Sequence, residues 1–458
     1  MTTPLRVAII GAGPAGIYAG NILQHTVLEA GHSVTIDIFD SLPAPYGLIR
    51  YGVAPDHPRI KGIVNTLHEM LDAGSIRFLG NVTYGVDLAL DDLRTHYHAI
   101  IFATGAIRDA RLDIPGIDLP GSYGAADFVS WYDGHPDVPT TWPLDATDIA
   151  VIGNGNVALD VARMLAKHPH DLLATDIPAN VHAVLEGSPV TDVHVFGRRG
   201  PAQVKFTPIE LRELGDIPDV DIVVYPEDFE SPEAEAAQVT AGSNQLRIMT
   251  RTLRGWLDRE PTGASRRLHL HFRHAPIEVY GDGRVEGMRF ARTVVEIDGS
   301  LRETDELLDY PLQAVYCAVG YLGSALPELP FDDARGVIRN EEGRVLGSDS
   351  TGLYATGWIK RGPVGLIGHT KSDAAETIAH LVADAESLLE RTVDDSDIIR
   401  LLDARGIHFT TWDGWLILDA HERDLGESDG SDVDRERVKV VPRDEQVSIA
   451  RDSAVFTI

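Results

Sequence analysis

Two glycine clusters in this chain have the residue types and spacing to hold a pyrophosphate. Gly11-Ala12-Gly13-Pro14-Ala15-Gly16 follows the apolar run Leu5-Arg6-Val7-Ala8-Ile9-Ile10, and Gly153-Asn154-Gly155-Asn156-Val157-Ala158 follows Ile149-Ala150-Val151-Ile152. Strand, glycine turn and helix in that order give each motif its meaning. The glycines permit a tight turn and let backbone N–H groups approach a phosphate, whose charge the helix N-terminus then stabilises. One such turn holds one dinucleotide. Two in one chain imply two dinucleotides acting on each other, and the usual pair is a flavin and a nicotinamide exchanging a hydride.

The residue closing the second strand of each unit sets which nucleotide is held. In the first unit it is Asp40, at the distance from Gly11 expected of the acid that accepts hydrogen bonds from an adenosine ribose. In the second unit Phe196-Gly197 is followed by Arg198-Arg199. A carboxylate there would repel a 2′-phosphate, whereas paired guanidiniums bind one bidentately, so the second site is expected to take NADP rather than NAD.

The elements that must position these residues follow from the hydrophobic pattern. Strand and helix signals alternate, which predicts α/β architecture with parallel sheets. Residues 5–10, Val34–Phe39 and His98–Ala103 read as strands, with a helix from Ala15 to Glu29; a matching unit begins near residue 148, and its second strand is Asp192–Phe196. Further strands are read at 314–319 and 353–355, a helix over Lys371–Arg391, and a surface loop or flexible segment over 426–436. The simplest arrangement is two Rossmann-like dinucleotide-binding domains, one inserted within the other. Residues 1–106 and 322–458 would form the FAD domain, and 107–321 the NADP domain.

Composition excludes several classes. The chain has 458 residues, 43% of them hydrophobic and 24% charged, as in ordinary globular proteins. A formal net charge of −30 argues against nucleic acid as a ligand. No run of about 18 apolar residues occurs, so no membrane span is expected. The first residues run straight into a strand, which points to a cytoplasmic protein without a leader. The one cysteine, Cys317, lies in an apolar run and reads as a core residue. It cannot form an internal disulfide, a Cys-x-x-Cys pair or an iron–sulfur site, so iron–sulfur chemistry must belong to a partner. No metal site is read from the chain, and the oligomeric state stays open between a monomer and a weak dimer.

Longer motifs carry a resemblance. Pro45-Tyr46-Gly47-Leu48-Ile49-Arg50-Tyr51-Gly52-Val53-Ala54-Pro55-Asp56-His57-Pro58, Gly153–Asp160, Gly197-Arg198-Arg199-Gly200-Pro201 and Gly357–Gly368 stand in order with the first glycine turn. In these the chain resembles the ferredoxin–NADP reductases of the adrenodoxin reductase type, and in particular their actinobacterial members, over nearly its whole length. The resemblance implies an FAD-dependent NADPH:ferredoxin oxidoreductase whose redox partner is an iron–sulfur ferredoxin. It places Ala15, Asp40, Leu48 and Tyr84 at FAD, although a tyrosine at position 84 departs from the aliphatic type expected. Trp358 and the backbone of Gly365, Leu366 and Ile367 fall around the flavin ring, with Gly365 where flavin and nicotinamide meet. Asn154, Gly155, Asn156 and Val157 fall on the NADP pyrophosphate, Arg198 and Arg199 on its 2′-phosphate, and Glu210 on the same nucleotide.

By the same resemblance His57, fixed between prolines, lies on the nicotinamide side of the flavin. Glu213, one helical turn beyond Glu210, is expected to act with it as an electrostatic pair tuning hydride transfer, and Asp160 is a further candidate. Arg247, Arg251 and Arg254 recur at helical spacing, with Arg266, Arg267 and Arg273 soon after, as an expected docking face for an acidic ferredoxin. Two other readings stay open. One is a flavoprotein subunit of a larger reductase, although those usually carry iron–sulfur cysteines on an N-terminal extension. The other is a non-catalytic FAD-binding interaction protein.

Overall fold

The computed structural model describes residues 4–31, 33–229, 244–296, 298–364 and 368–452. The chain divides into two compact units: Met1–Arg108, Asp133–Val138 and Tyr321–Ile458 form the first, and Asp109–Tyr132 with Pro139–Gly320 the second. The second is thus inserted in the chain of the first. The short return at Asp133–Val138 has no counterpart in the linear pattern. Its Asp133 side chain, fully buried, takes the Lys61 and Lys439 ammonium groups at 3.5 and 3.4 Å.

The first unit is built on an eight-stranded sheet. Its centre is parallel, in the order Leu353–Ala355, Ala99–Phe102, Leu5–Ile10, Val34–Phe39, Ile76–Gly80. Strands such as Ala99-Ile100-Ile101-Phe102 are buried throughout because both faces of the sheet are covered. Along Leu5–Ile10 the side chains alternate between two cores. Leu5, Val7 and Ile9 meet Ile17, Leu23 and Val27 of the helix Pro14–Glu29, whereas Ala8 and Ile10 face Phe39, Phe102 and Ile359. The strand order reverses at Leu5–Ile10, so the first glycine turn sits at a topological switch point, where α/β sheets bind ligands.

The second unit repeats the principle. Its six-stranded sheet is parallel throughout, in the order Ser122–Gly124, Ala314–Cys317, Asp148–Ile152, Asp192–Phe196, Arg266–His271, Val220–Val224. A three-stranded antiparallel sheet, His274–Tyr280, Gly287–Val295 and Leu301–Pro311, packs Val279, Met288 and Phe290 against Ile152, Phe196 and Cys317. Cys317 is a buried free thiol, and burial pushes its pKa up to about 12.

One expected element comes out differently. The periodic stretch 371–391 is not one helix but Gly368–Ala383 and Ala385–Leu389. The break falls at Asp384, whose carboxylate is drawn away by Arg344 (2.8 and 2.9 Å) and the Tyr354 hydroxyl (2.8 Å). The segment 426–436 is the expected surface loop from Ser428 on, its first two residues ending the helix Trp412–Glu427, and within it Arg435 is buried and pairs with Asp429 at 3.1 Å.

A stack of imidazoles lies inside the second unit. His194 is in register with His269, and Phe196 with His271, on adjacent strands. The His194 and His269 rings stand 4.3 Å apart at 11°, and Phe196 and His271 at 4.5 Å and 12°. His269 bonds Asp192 at 2.9 Å and the Tyr225 hydroxyl at 2.8 Å, while His194 Nδ1 and His271 Nε2 share a hydrogen bond of 3.0 Å. Nitrogens of His194, His269 and His271 all lie within 4.8 Å of one another. The near-parallel rings and the hydrogen bonds among them make the cluster a hydrogen-bonded stack. Burial pushes His194 down to about 3 and His274 down to about 4. Above the ordinary value of 6.5 both the folded and unfolded states are neutral. Below it only the unfolded chain takes the protons, so each histidine removes roughly 1.4 kcal/mol of stability per pH unit until its folded value is reached. Asp228, pushed up to about 6 by burial, works in the opposite direction, so the comparison of variants isolates the stack. Thermal melts between pH 6.5 and pH 4 are expected to show a smaller stability loss in His194→Phe than in the parent. Equal slopes would show that the stack is not what titrates.

Candidate functional site

In both units the glycines divide into those that packing demands and those that leave room. At Gly11 (φ +111°) a Cβ would lie 2.5 Å from the Ala103 carbonyl oxygen, and at Gly16 1.9 Å from that of Gly11. At Gly153 (φ +151°) it would lie 2.2 Å from the Ala318 oxygen. Those three permit the turn and the close contact of helix with strand. At Gly13 nothing but the Gly47 Cα comes within 4 Å, and at Gly155 nothing does. The space beside Gly13 and Gly155 is where a phosphate can approach the backbone.

The helices behind these turns begin as anion sites. Pro14–Glu29 and Asn156–Ala166 start after Gly13 and Gly155 with no side-chain cap and no acid in the first turn. Their first N–H groups and positive dipole ends therefore suit the pyrophosphates of FAD and NADP. The residues present fit both groups.

Asp40 is held against the first turn. Its Oδ2 accepts the Ala12 N–H at 2.7 Å and its Oδ1 the Leu42 N–H at 2.9 Å. Burial pushes its pKa up to about 6, against those two bonds and Arg443, and as a carboxylate it keeps lone pairs for ribose hydroxyls. Tyr46 donates its N–H to the Ala12 carbonyl at 2.9 Å, bringing the helix Leu48–Tyr51 to the same turn. Ala15 meets Gly357, where a Cβ would come 2.6 Å from that of Ala15. The half-buried Trp358 follows at the start of the turn Trp358–Arg361. Tyr84 packs its ring on Phe102 at 5.2 Å and donates its hydroxyl to the Pro327 carbonyl at 2.8 Å. His57 is buried and caps the short helix Pro58–Lys61. Gly365, Leu366 and Ile367 lie outside the described residues.

In the second unit Asn156 ties the turn to the helix Pro208–Gly215. Its Oδ1 accepts the Thr207 N–H at 3.2 Å and its Nδ2 donates to Glu210 at 3.1 Å. Asn154 lies over Gly197, leaving no room for a Cβ there, and its carbonyl accepts the Lys205 N–H at 3.1 Å. Val157 is in the first turn of the nucleotide helix. Arg198 and Arg199 are exposed, and among the described residues neither guanidinium has an ion-pair partner. Their backbone is fixed: the Arg198 carbonyl accepts the Thr293 hydroxyl at 2.6 Å, and the Arg199 carbonyl the Arg273 N–H at 3.2 Å. Glu213 and Asp160 converge on one buried guanidinium, Arg163.

Some residues were not singled out by sequence. Asp373 bonds the Gly357 N–H at 2.5 Å and the Thr356 hydroxyl at 3.2 Å, and lies 3.3 Å from the Lys360 ammonium. Arg50 forms a buried ion pair with Glu422 (2.5 and 2.9 Å) under the Trp415 ring. No local signal marks these partners, which are distant in sequence. The expected basic face shrinks to the helix Asn244–Trp256, where Arg247, Arg251 and Arg254 are exposed. Arg266 bonds the carbonyls closing the nucleotide helix, Arg267 pairs with Asp192 at 2.7 Å, and Arg273 is buried against the Asp228 carbonyl. Periodicity cannot distinguish a solvated cation from one already spent on a carbonyl or a carboxylate.

Two parallel-sheet units, each with a glycine turn at a helix start, one closed by an acid and the other by two free guanidiniums, define a two-nucleotide oxidoreductase. The comparisons agree. The family model for pyridine nucleotide-disulphide oxidoreductases matches residues 5–192. A relative named NADPH-ferredoxin reductase FprA, from Mycobacterium tuberculosis, is 40% identical over 452 residues, 95% of this chain and 97% of the relative. The mitochondrial NADPH:adrenodoxin oxidoreductase of Homo sapiens is 38% identical over 93% of this chain and 88% of its own. The structure of M. tuberculosis FprA in complex with NADPH superposes with a TM-score of 0.92 at 38% identity, covering 98% of this chain and all of that one. The chain belongs to the family of NADPH-ferredoxin reductases and adrenodoxin oxidoreductases.

The two kinds of glycine separate by substitution. Gly155→Ala is expected to fold and keep its flavin but to need on the order of tenfold more NADPH for half-maximal flavin reduction. Gly16→Ala, whose methyl would overlap a carbonyl oxygen, is expected to lose several kcal/mol of stability and its flavin. Absorbance after desalting and titration with NADPH measure both. Unchanged NADPH dependence in Gly155→Ala would mean that the open space is not the phosphate site.

Proposed function

We infer that the protein is an FAD-dependent NADPH:ferredoxin oxidoreductase, with FAD held by the first unit and NADP(H) by the second. The observation that carries this is the pair of complete glycine turns with opposite closing charges, Asp40 in one and Arg198-Arg199 in the other. When bound, FAD would supply the chemistry, a hydride acceptor toward NADPH and a one-electron donor toward an iron–sulfur ferredoxin. The chain's own residues bind and orient. Gly11–Gly16 and Asp40 hold the adenosine diphosphate half of FAD, and Leu48, Tyr84, Trp358 and Gly365–Ile367 contribute to the rest of its site. Asn154–Val157 and Glu210 seat the second nucleotide. We place His57, Glu213 and Asp160 on the hydride-transfer step, where their charges tune it rather than serve as nucleophiles. The exposed arginines Arg247, Arg251 and Arg254 fit an acidic ferredoxin by charge.

No helix among the described residues is long and apolar enough to cross a membrane. A single unpaired cysteine fits a reducing compartment, and we place the protein in the cytoplasm. The reading as a subunit of a larger reductase has no cysteine set to support it. The non-catalytic reading does not account for the free guanidiniums of Arg198 and Arg199.

Arg198 and Arg199 give the sharpest test of the cofactor assignment. Each charge-assisted phosphate bond is worth roughly 1.5–3 kcal/mol, so Arg198→Ala with Arg199→Ala should cost on the order of a hundredfold or more in preference for NADPH over NADH. Flavin reduction with each nucleotide measures it. An unchanged ratio would falsify the clamp. The activity itself is tested by NADPH-dependent cytochrome c reduction with acidic ferredoxins supplied one at a time. Reduction should require the ferredoxin and slow as salt rises, and charge reversal at Arg251 and Arg254 should slow it while sparing ferricyanide reduction. Failure with every ferredoxin, despite rapid bleaching of the flavin by NADPH, would point to another acceptor.

A further inference from the structure

The guanidinium of Arg163 is deeply buried in the second nucleotide unit, with a side-chain exposure of 2%. It lies on the helix Asn156–Ala166, whose first turn is the pyrophosphate site. A buried guanidinium cannot shed its proton, so it must be neutralised by carboxylates. Asp160, one turn earlier on the same helix, meets it at 2.9 Å, and Glu213, on Pro208–Gly215, approaches at 4.0 Å. The two helices are therefore joined twice. Asn156 donates to Glu210 at the phosphate turn (3.1 Å), and Arg163 faces Glu213 one helical turn beyond Glu210. Arg163 thus sets two carboxylates at once, and Glu213 is about one third exposed.

We propose that Arg163 is the positioning residue of the hydride-transfer step, holding Glu213 in place from behind the nucleotide helix. This rests on the reading that Glu213 acts on that step. It implies that Arg163 acts through Glu213 and not through NADPH binding.

The test is stopped-flow bleaching of the flavin band of the FAD-loaded enzyme over a range of NADPH concentrations, in Arg163→Gln, Arg163→Lys, Glu213→Gln and the double variant Arg163→Gln/Glu213→Gln. Arg163→Gln and Glu213→Gln should each lower the limiting rate on the order of tenfold, with half-saturating NADPH held within about twofold. The double variant should be no slower than the slower single, and Arg163→Lys, which keeps the charge, should stay near the parent rate. A loss confined to half-saturation in Arg163→Gln would mean that the helix and its phosphate turn have shifted, and would overturn the proposal. So would a parent rate in Arg163→Gln beside a slow Glu213→Gln, or losses that multiply in the double variant. A parent rate in Glu213→Gln itself would overturn the underlying role of Glu213, and this proposal with it. If Arg163→Gln does not retain FAD, Arg163→Lys decides: a parent rate supports the charge as the active feature, and a slow rate at full FAD content overturns it.

Discussion

Each unit depends on a backbone contact that only glycine allows. The carbonyl oxygen of Ala103, just past the end of one strand, occupies the place a side chain on Gly11 would need, and that of Ala318 does the same at Gly153. In both cases the glycine turn is wedged against the end of the neighbouring strand. The turn cannot drift, so the helix behind it starts at a fixed place with its N–H groups aimed at one spot. Asp40, the arginine pair and the links to neighbouring helices are all referenced to that spot. Strand packing is the source of precision here, because a parallel sheet buried on both faces has little freedom to slide.

Much of this was legible in the sequence because the signals are local. A strand, a glycine turn and a helix lie within one short stretch, and the residue closing the next strand follows at a set distance. Asp40, Arg198 and Arg199 are singled out that way, and the structure sets Asp40 against the first turn and leaves both arginines exposed. What escaped depends on contacts between distant segments. Asp373 reaches back to the Gly357 turn, and Arg50 finds Glu422 near the other end of the chain. Arg163 is local to its motif, but its meaning comes from Glu213 on another helix. Arg266, Arg267 and Arg273 looked like a continuation of the basic helix, yet all three are used within the unit. Tyr84, where an aliphatic residue was expected, places its hydroxyl on a carbonyl and its ring on Phe102, so it fills its site without leaving a polar atom bare.

The first unit also secures a chain that leaves it and returns. Glu422 takes the Arg50 fork and the Val440 N–H, and Lys439 donates to the Arg50 carbonyl at 2.8 Å. These groups sit against the Tyr46–Tyr51 stretch that borders the first glycine turn. Buried ion pairs add little net stability over a well-packed apolar cluster, but removing one partner is costly. Their effect is to fix the C-terminal segment in one register beside the nucleotide turn.

Cys317 carries a consequence of another kind. It is the only sulfhydryl in the chain, buried in the apolar core of the second unit, with its thiol pushed up to about 12. The thiolate, not the thiol, reacts with peroxides, alkylating agents and disulfides. A protein built to pass electrons thus keeps its one thiol in the unreactive, protonated form. Reagents that act through a thiolate therefore have little purchase on Cys317.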